Sequence, residues 1–341
     1  MKRVCIIHTG GTIGMRMSER GLMPEPGYLA AQMEKMSELF EGMLPEFEVL
    51  EYEPLIDSSN LTPDHWQQIA QDIKSNYHRF DGFVVLHGTD SMAYTSSILP
   101  FMLEGLNKSV VVTGAQLPLG QVRNDARENL KTAMMLAAGY HIPEVTLFFG
   151  EVLLRGCRAT KSSATKLDAF ESPNYPVLGS VETNIEIFNR RIRFPETADD
   201  KLTVHQIKPV EIATFRLFPG MSIDVLKNVL LRPLKALIIE SYGVGNGPAD
   251  NPRFIEAIQS AVDDGIVIVN CTQCGHGCVA QTSYATGTAL SDAGVVSGRD
   301  MTVEAAIAKL YYLFSRDLSV SEIRNSVPQD LVGELTEQSS N

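Results

Sequence analysis

Near its N-terminus the chain reads Val4-Cys5-Ile6-Ile7-His8-Thr9-Gly10-Gly11-Thr12-Ile13-Gly14. The apolar run from Val4 to Ile7 predicts a short buried strand. The glycines that follow allow a turn that residues with a Cβ rarely adopt, and they let backbone N–H groups approach a ligand. Thr12 would then lie at the carboxyl end of a strand, which is the usual ligand crevice of an open α/β sheet. Thr12 is therefore a candidate turn residue, phosphate contact or nucleophile.

The same order of strand, polar tip and helix recurs along the N-terminal half of the chain. The run Gly82-Phe83-Val84-Val85-Leu86 is apolar throughout, as strands buried on both faces of a parallel sheet are. The alternation predicts a doubly wound α/β domain whose polar tips share one edge of the sheet. The further strands predicted are 47–55, 109–113 and 145–149. Helices are predicted with Thr62 as N-cap and Pro63 in the first turn, after Ser91, and from 124.

The residues just after the first turn show neither helical nor strand periodicity. Met15 to Gly27 combines Met, Ser, Glu, Arg, Gly and two prolines, which is typical of a mobile loop or lid. Residues 29–40 have helical composition.

The apolar pattern is lost between Asn189 and Lys201, where charge increases and a proline occurs. We interpret 189–209 as a linker between an N-terminal catalytic α/β domain, 1–188, and a C-terminal α/β domain, 210–341. In the second domain strands are predicted at 210–215, 235–240 and 266–270. The polar tail 336–341 is expected to fray.

Composition restricts the class of partner. The formal net charge of −12 argues against nucleic acid, whose phosphates call for a basic surface. No apolar run approaches the ~20 residues of a membrane span. The run from Val4 to Ile7 is also too short for a secretory signal. We therefore expect a cytoplasmic protein that binds neither nucleic acid nor a membrane.

The five cysteines are an odd number, and free thiols are the expected state. The segment Cys271-Thr272-Gln273-Cys274-Gly275-His276-Gly277-Cys278 suggests zinc, because three thiols and an imidazole lie within it. Structural zinc sites usually draw their ligands in pairs from two separated segments, and no second pair lies nearby. The sequence therefore favours a glycine-rich loop with free thiols and no metal site.

The polar tips carry the groups that can do chemistry, namely Thr12, Asp57-Ser58-Ser59, Thr89-Asp90 and Lys161. A hydroxyl nucleophile needs a neighbouring base to take its proton, and Lys161 is the candidate base. Asp90 would hold this lysine through a charge-assisted hydrogen bond. Backbone N–H groups around Gly11 and Gly88 would face a developing oxyanion. Caps and turns also use these residue types, so each tip alone is modest support for catalysis.

Nucleotide binding is only weakly supported by the sequence. The turn Gly10-Gly11-Thr12-Ile13-Gly14 does not match the dinucleotide pattern G-x-G-x-x-G, and no P-loop pattern occurs. No zinc-protease motif or serine-hydrolase elbow occurs either, and the seven histidines are scattered.

Two segments stand out together, namely Thr9-Gly10-Gly11-Thr12-Ile13-Gly14 and Gly82-Phe83-Val84-Val85-Leu86-His87-Gly88-Thr89-Asp90-Ser91-Met92. In sequence and in spacing they resemble the two active-site signatures of the bacterial-type L-asparaginase family. The family order continues with Asp57-Ser58-Ser59, Val112-Thr113-Gly114-Ala115-Gln116 and Arg158-Ala159-Thr160-Lys161. The resemblance covers nearly the whole chain and is closest to the cytosolic type I enzymes.

This resemblance implies hydrolysis of L-asparagine to L-aspartate and ammonia through an acyl-enzyme, without metal or cofactor. It also implies a larger N-terminal α/β domain, with a mostly parallel sheet flanked by helices, and a smaller C-terminal α/β domain. The expected assembly is a homotetramer, a dimer of dimers, in which each active site lies close to a domain of a neighbouring subunit.

The resemblance also implies a role for each matching residue. Thr12 is the nucleophile, and Thr89, Asp90 and Lys161 form a second polar group that activates a threonine or a water. The substrate's α-amino and α-carboxyl ends are bound by Asp57, Ser58 and Ser59, with Thr89 and Asp90 completing the substrate-binding set.

The chain departs from the type I pattern after the nucleophile. Type I relatives carry a tyrosine in the loop that follows it, and the aligned residue here is Leu22. The next tyrosine is Tyr28. Either the loop slides to present Tyr28, or another group orients Thr12.

A second departure concerns allostery. Some type I enzymes bind asparagine at a second site that uses an arginine before a Ser-Tyr-Gly turn, together with a Thr-Gln-Cys segment. Thr272, Gln273 and Cys274 are present, but Glu240 stands in the place of the arginine. Its carboxylate would repel the carboxylate of the effector, so weak or absent activation by asparagine is predicted.

Two alternatives to an amidohydrolase remain. A non-catalytic sensor of amino acids or nucleotides would use the same crevice, and Leu22 keeps that hypothesis open. The other is a component of a tRNA-dependent amidotransferase. That branch usually carries an additional N-terminal domain, whereas the first strand here begins at residue 4, so this hypothesis ranks below the others.

Overall fold

The computed structural model describes residues 2–19, 21–42, 44–195 and 201–337. The chain divides into two compact units, a larger one of residues 1–172 and 176–206 and a smaller one of 173–175 and 207–341. The division after residue 206 lies inside the predicted 189–209 linker, of which 196–200 are outside the described ranges. Within this predicted linker, Thr203–Val204 pairs with Leu103–Glu104 of the larger unit.

The larger unit is organised around an eight-stranded sheet. The strands of this unit are β1 (Arg3–Gly10), β2 (Met15–Ser18), β3 (Gly21–Pro24), β4 (Glu46–Ile56), β5 (Gly82–Leu86), β6 (Leu103–Glu104), β7 (Val110–Thr113), β8 (Val145–Phe149), β9 (Val152–Arg155), β10 (Thr160–Lys161), β11 (Phe170–Glu171), β12 (Gly179–Val181), β13 (Ile185–Ile187) and β14 (Thr203–Val204). The order in the main sheet is β13-β12-β9-β8-β7-β5-β1-β4. Its part from β4 to β8 is parallel, and β9, β12 and β13 are antiparallel to their neighbours. The predicted mostly parallel sheet is confirmed.

The centre of this sheet is apolar on both faces. All five residues of β5 are buried, and so are Val4 to Ile7 in β1. Parallel strands end at the same edge, so the loops after β1, β4, β5 and β7 meet there. The fold therefore brings the predicted polar tips of Thr12, Asp57 and Thr89 to one side of the sheet, whereas Lys161 lies on the short strand β10.

The helices of the larger unit are α1 (Tyr28–Met33), α2 (Pro63–Asn76), α3 (Met92–Met102) and α4 (Ala126–Gly139). Helix α2 begins where Thr62-Pro63 predicts, and the backbone N–H of Thr62 donates to Nδ1 of His65 at 2.9 Å. Trp66, Ile69 and Ile73 share one buried face, as their helical spacing predicts.

The segment from Met15 to Gly27 differs from the irregular loop that was predicted. Strands β2 and β3 pair as an antiparallel hairpin, in which Met17 lies opposite Leu22. Most of its side chains are exposed, so no buried face imposes the alternation by which a strand is usually recognised. The helix predicted for 29–40 is also shorter, since α1 ends at Met33 and a 3₁₀ turn at Ser37–Leu39 follows.

The smaller unit is a second α/β structure, as predicted. Its strands are β15 (Ile212–Arg216), β16 (Ala236–Ser241), β17 (Val267–Thr272) and β18 (Val296–Ser297), all parallel and in that order. Its helices are α5 (Ile223–Val229), α6 (Pro252–Asp263), α7 (Ala285–Asp292), α8 (Val303–Phe314) and α9 (Val320–Ser326). Two apolar clusters form its core, one around Phe254 and Ile268 and the other around Val269 and Leu310.

The C-terminal residues of the described chain are held by polar contacts, one of which is a buried ion pair. The side chains of Lys309 and Glu334 form an ion pair of 2.6 Å that is 1% and 0% exposed. Thr336 donates from its backbone N–H and its hydroxyl to Asp300, at 2.8 and 2.6 Å. Thr336, predicted to fray, is thus tied down, and 338–341 lie outside the described residues.

None of the helices in the described ranges has both the length and the apolar character that a bilayer crossing requires.

Candidate active site

Three loops are in direct contact at the carboxyl edge of the sheet. Gly11 has a φ of 85°, and a Cβ added to it would overlap the backbone N and Cα of Gly88. A Cβ added to Gly88 would overlap Oγ of Ser58. The loops that carry Thr12, Thr89 and Ser58 can therefore meet because two contact positions lack a side chain.

Thr12 begins a 3₁₀ turn, Thr12–Gly14, which is separated from β1 by Gly11 alone. Gly14 packs against the ring of His8, because a Cβ at Gly14 would lie 2.7 Å from Cε1 of that ring. The backbone N–H of Leu119 donates to the carbonyl of Ile13 at 3.1 Å. Thr12 itself is half-buried, and the turn that it begins is held by contacts of Ile13 and Gly14.

His8 also connects this turn to the base of the β2–β3 hairpin. Its Nδ1 lies 3.2 Å from Oε2 of Glu51, and Oε1 of the same carboxylate accepts the backbone N–H of Gly27 at 2.7 Å. Burial lowers the pKa of His8, since the contact with Glu51 only partly offsets the loss of solvation.

Lys161, Thr89 and Asp90 form a compact polar group. Nζ of Lys161 donates to Oγ1 of Thr89 at 2.9 Å and to Oδ1 of Asp90 at 2.8 Å. Thr89 is 7% exposed, whereas the side chain of Asp90 is 67% exposed. The grouping predicted from separate strand ends is therefore present, although 71 residues separate Lys161 from Asp90.

The Asp57-Ser58-Ser59 tip is folded upon itself. Oδ1 of Asp57 accepts the backbone N–H of Ser59 at 3.0 Å and its hydroxyl at 2.9 Å. The hydroxyl of Ser91 donates to the carbonyl of Ser58 at 2.6 Å, which joins this tip to the loop after β5. Asp57 and Ser59 are exposed, and Ser58 is buried.

A chain of hydrogen bonds connects Trp66 on α2 and Thr95 on α3 to His87 in the loop after β5. The indole N–H of Trp66 donates to Oγ1 of Thr95 at 3.0 Å, and Oγ1 of Thr95 lies 2.9 Å from Nε2 of His87. Nδ1 of His87 lies 2.7 Å from the carbonyl of Gly88, which only accepts, so Nδ1 carries the ring proton. Nε2 of the neutral ring is then an acceptor, and the Thr95 hydroxyl donates to it. Burial lowers the pKa of His87 to about 4.

This buried neutral histidine predicts acid destabilisation. His87 takes up a proton near pH 6.5 in the unfolded chain but only near pH 4 in the folded one, so its contribution is complete above pH 6.5. As the pH falls to about 4 we expect the free energy of unfolding to drop by up to about 3 kcal/mol. Urea unfolding at a series of pH values measures this slope.

His87→Gln should reduce that pH slope, whereas His78→Gln, at an exposed position, should preserve it. A slope that is unchanged in His87→Gln would show that other groups cause the acid sensitivity.

Gln116 joins this site, although no sequence motif had assigned it a role. Its Oε1 lies 3.3 Å from Oγ1 of Thr89, and its backbone N–H donates to Asp125 at 2.9 Å. The available signal was its place in Gly114-Ala115-Gln116, just after β7.

The structure also shows the positions of Leu22, which aligns with the expected loop tyrosine, and of Tyr28, the next tyrosine in the chain. Leu22 is on β3 of the hairpin and is 36% exposed. Tyr28 begins α1, and its hydroxyl packs against Gly120, where an added Cβ would overlap it. Tyr28 thus contacts the loop in which the backbone N–H of Leu119 bonds to the carbonyl of Ile13. The two alternatives for the group that orients Thr12, Tyr28 or another residue, stay predictions.

The predicted allosteric residues lie together in the smaller unit. The carboxylate of Glu240 is 3.5 Å from Nη1 of Arg216 on the adjacent strand. Gln273 donates to the carbonyl of Glu240 at 3.2 Å, and the hydroxyl of Thr272 donates to the carbonyl of Gly243 at 2.6 Å. The backbone N–H of Cys274 donates back to the Thr272 hydroxyl at 3.1 Å.

The cysteine-rich loop divides into one buried and two exposed thiols. Burial raises the pKa of Cys271 to about 12, so this thiol stays protonated at neutral pH. Cys274 and Cys278 are exposed. Across the described ranges, no three His, Cys, Asp or Glu side chains are grouped so as to hold a metal ion.

Comparison with known proteins defines the class of this fold and site. Residues 3–193 match the family model "Asparaginase, N-terminal", and residues 211–326 match "Glutaminase/Asparaginase C-terminal domain". The chain belongs to the asparaginase family.

Among individual relatives, the chain is 50% identical to L-asparaginase 1 of Escherichia coli over 337 residues, which is 98% of either chain. It is similar to the crystal structure of L-asparaginase I from Vibrio cholerae, with a TM-score of 0.91, 45% identity and coverage of 98% and 99%. It is also similar to a thermostable L-asparaginase from Thermococcus kodakarensis, with a TM-score of 0.89, 28% identity and coverage of 98% and 100%.

Proposed function

We propose that the protein hydrolyses L-asparagine to L-aspartate and ammonia through an acyl-enzyme formed on Thr12. The observation that carries this proposal is the contact of the Thr12 turn with the loop of Thr89, whose hydroxyl is bonded to Lys161. The 50% identity to L-asparaginase 1 over 98% of the chain supports the choice of substrate.

In the first half of the reaction, Oγ1 of Thr12 attacks the side-chain carboxamide carbon of asparagine. The Thr12 proton passes to the departing nitrogen and the C–N bond breaks. Ammonia is released, and a β-aspartyl ester remains on Thr12. In the second half, water adds to the ester carbon, and the proton returns to Thr12 as L-aspartate is released. Thr89, Asp90 and Lys161 assist these proton transfers.

The remaining site residues bind the amino-acid end of the substrate. Asp57, Ser58 and Ser59 face its α-amino and α-carboxylate groups, with Thr89 and Asp90 completing the set. The contact between Ser58 and Gly88 supports this assignment, since it places the tip beside the loop of Thr89. Backbone N–H groups around Gly11 and Gly88 are the proposed donors to the oxyanion.

The proposed enzyme is cytoplasmic and assembles as a homotetramer of two dimers, and it uses no cofactor. The assembly is the one that the resemblance to the type I asparaginases implies. Size-exclusion chromatography with light scattering tests it.

Steady-state ammonia release from L-asparagine, L-glutamine and D-asparagine, measured side by side, tests the activity. L-Asparagine should be the best substrate. The extra methylene of glutamine is expected to cost ~1–3 kcal/mol in kcat/KM. Saturable binding of L-asparagine by calorimetry without any ammonia release would instead indicate a sensor.

Glu240 predicts that activation of the enzyme by asparagine is weak or absent. The carboxylate is 19% exposed and would repel the carboxylate of an effector, while its contact with Arg216 occupies the nearby cation. Initial rates over a wide range of asparagine concentration should follow a hyperbola. A sigmoidal curve would contradict this prediction, and in that case Glu240→Gln should be tested for a change in the sigmoidal response.

A further inference from the structure

The side-chain amide of Gln116 bridges two partners on different loops. Its Nε2 donates to the backbone carbonyl of Lys166 at 3.1 Å, and its Oε1 lies 3.3 Å from Oγ1 of Thr89. A carbonyl oxygen only accepts, so the NH₂ group must face Lys166. The orientation of the amide is thereby determined, and the oxygen of Gln116 faces Thr89.

The direction of the Thr89 hydroxyl follows from its two neighbours. The ammonium of Lys161 has no acceptor, so at 2.9 Å it donates to Oγ1 of Thr89. The proton of Thr89 must therefore point elsewhere, and Oε1 of Gln116 is the acceptor beside it. A hydroxyl has two lone pairs, and one of them stays open for a further donor, such as a water or the hydroxyl of Thr12.

The backbone that carries Gln116 is held in place by α4. The backbone N–H groups of Gln116 and Leu117 donate to the two carboxylate oxygens of Asp125, both at 2.9 Å. The buried side chain of Asn129 donates to the carbonyl of Gly114 at 3.0 Å. These contacts limit the movement of the Gln116 side chain relative to Thr89.

We propose that Gln116 is a positioning residue of the proposed hydrolysis. Its amide oxygen keeps the Thr89 proton away from the reacting groups, so that Oγ1 of Thr89 presents a lone pair to them. Gln116 acts through Thr89, to which its amide oxygen is bonded. This inference rests on the proposed asparagine hydrolysis.

Kinetics of two variants separate this role from a structural one. Gln116→Met removes the acceptor and should lower kcat about tenfold, the effect of one hydrogen bond, with little change in KM. Gln116→Glu keeps an oxygen for Thr89 but loses the amide donor to Lys166, and its kcat should lie closer to the wild type. If the contact with Lys166 were what matters, both variants would be impaired alike, and the inference would be overturned.

Gln121→Met is the matched control, because it makes the same chemical change five positions further along the same loop. Its kcat should equal that of the wild type. Wild-type kcat in Gln116→Met would refute the role of Gln116 and leave asparagine hydrolysis intact. Loss of kcat in Gln121→Met as well would assign the effect to the loop as a whole and overturn the specific role of Gln116.

Neutron diffraction from the wild-type protein in heavy water tests the hydrogen-bond direction without reference to activity. The expected map shows a deuterium on Oγ1 of Thr89 that points to Oε1 of Gln116. A deuterium that points from Thr89 to Nζ of Lys161 would overturn the inference. Absence of ammonia release from the wild type would reject the proposed function, and the neutron map would still decide the direction.

Discussion

Thr12→Ala should reduce kcat for asparagine hydrolysis by about 10⁴-fold or more, because losing a nucleophile leaves only binding and electrostatic stabilisation. Thr12 is half-buried at the start of a short turn, so a smaller side chain leaves no large cavity. The fold should therefore be retained. Ammonia release under saturating asparagine measures the loss, and circular dichroism with thermal unfolding confirms that folding is intact.

Thr12→Ser is the matched control for this prediction. Serine keeps the hydroxyl while it loses the methyl group, so kcat should remain far above that of Thr12→Ala. Mass spectrometry of protein quenched during turnover should show added aspartyl mass in the wild type and none in Thr12→Ala. Full activity in Thr12→Ala would place the nucleophile elsewhere.

Lys161→Met should lower kcat by about 10²–10⁴-fold, the usual contribution of a positioned proton-transfer group. Methionine has a similar length and fills the same space, but it gives Thr89 and Asp90 no donor in place of the ammonium. The effect should fall mainly on kcat, since Asp57 and the serines of its tip are unchanged.

Lys166→Met tests whether loss of a nearby positive charge alone explains such an effect. Lys166 is exposed five residues away, and only its backbone carbonyl contacts Gln116. Its replacement should leave kcat within about twofold of the wild type, which is a smaller change than the loss of one hydrogen bond causes. Equal loss in both lysine variants would argue for a general electrostatic effect and against a specific role for Lys161.

The parallel sheet and most of its polar tips could be predicted because their signals are local. Continuous apolar runs such as 82–86 mark buried strands, and parallel topology brings their carboxyl ends to one edge. That rule suffices to expect Thr12, Ser58 and Thr89 near one another. It does not give the contact of Gly11 with Gly88, because a glycine in a turn looks the same whether or not another backbone packs on it.

The hairpin and Gln116 could not be predicted for different physical reasons. Strands β2 and β3 bury little surface, so their side chains show no alternation of polar and apolar residues. The role of Gln116 depends on Lys166, 50 residues away, and on Thr89, 27 residues away. Contacts of that range are set by the tertiary fold, so the place of Gln116 just after β7 indicates that it lies near the site but does not identify its partners.

The contact of Gly11, Gly88 and Ser58 limits how this enzyme can evolve or be engineered. Any side chain at Gly11 overlaps the backbone of Gly88, and any side chain at Gly88 overlaps the side chain of Ser58. Because the overlap at Gly11 is with backbone atoms, no second substitution at position 88 relieves it. Mutant libraries that seek a new substrate preference should therefore leave these positions unchanged. The hairpin residues Met17 and Leu22, which follow the same turn, are exposed, so we expect substitutions there to be tolerated, and they are the better positions to randomise.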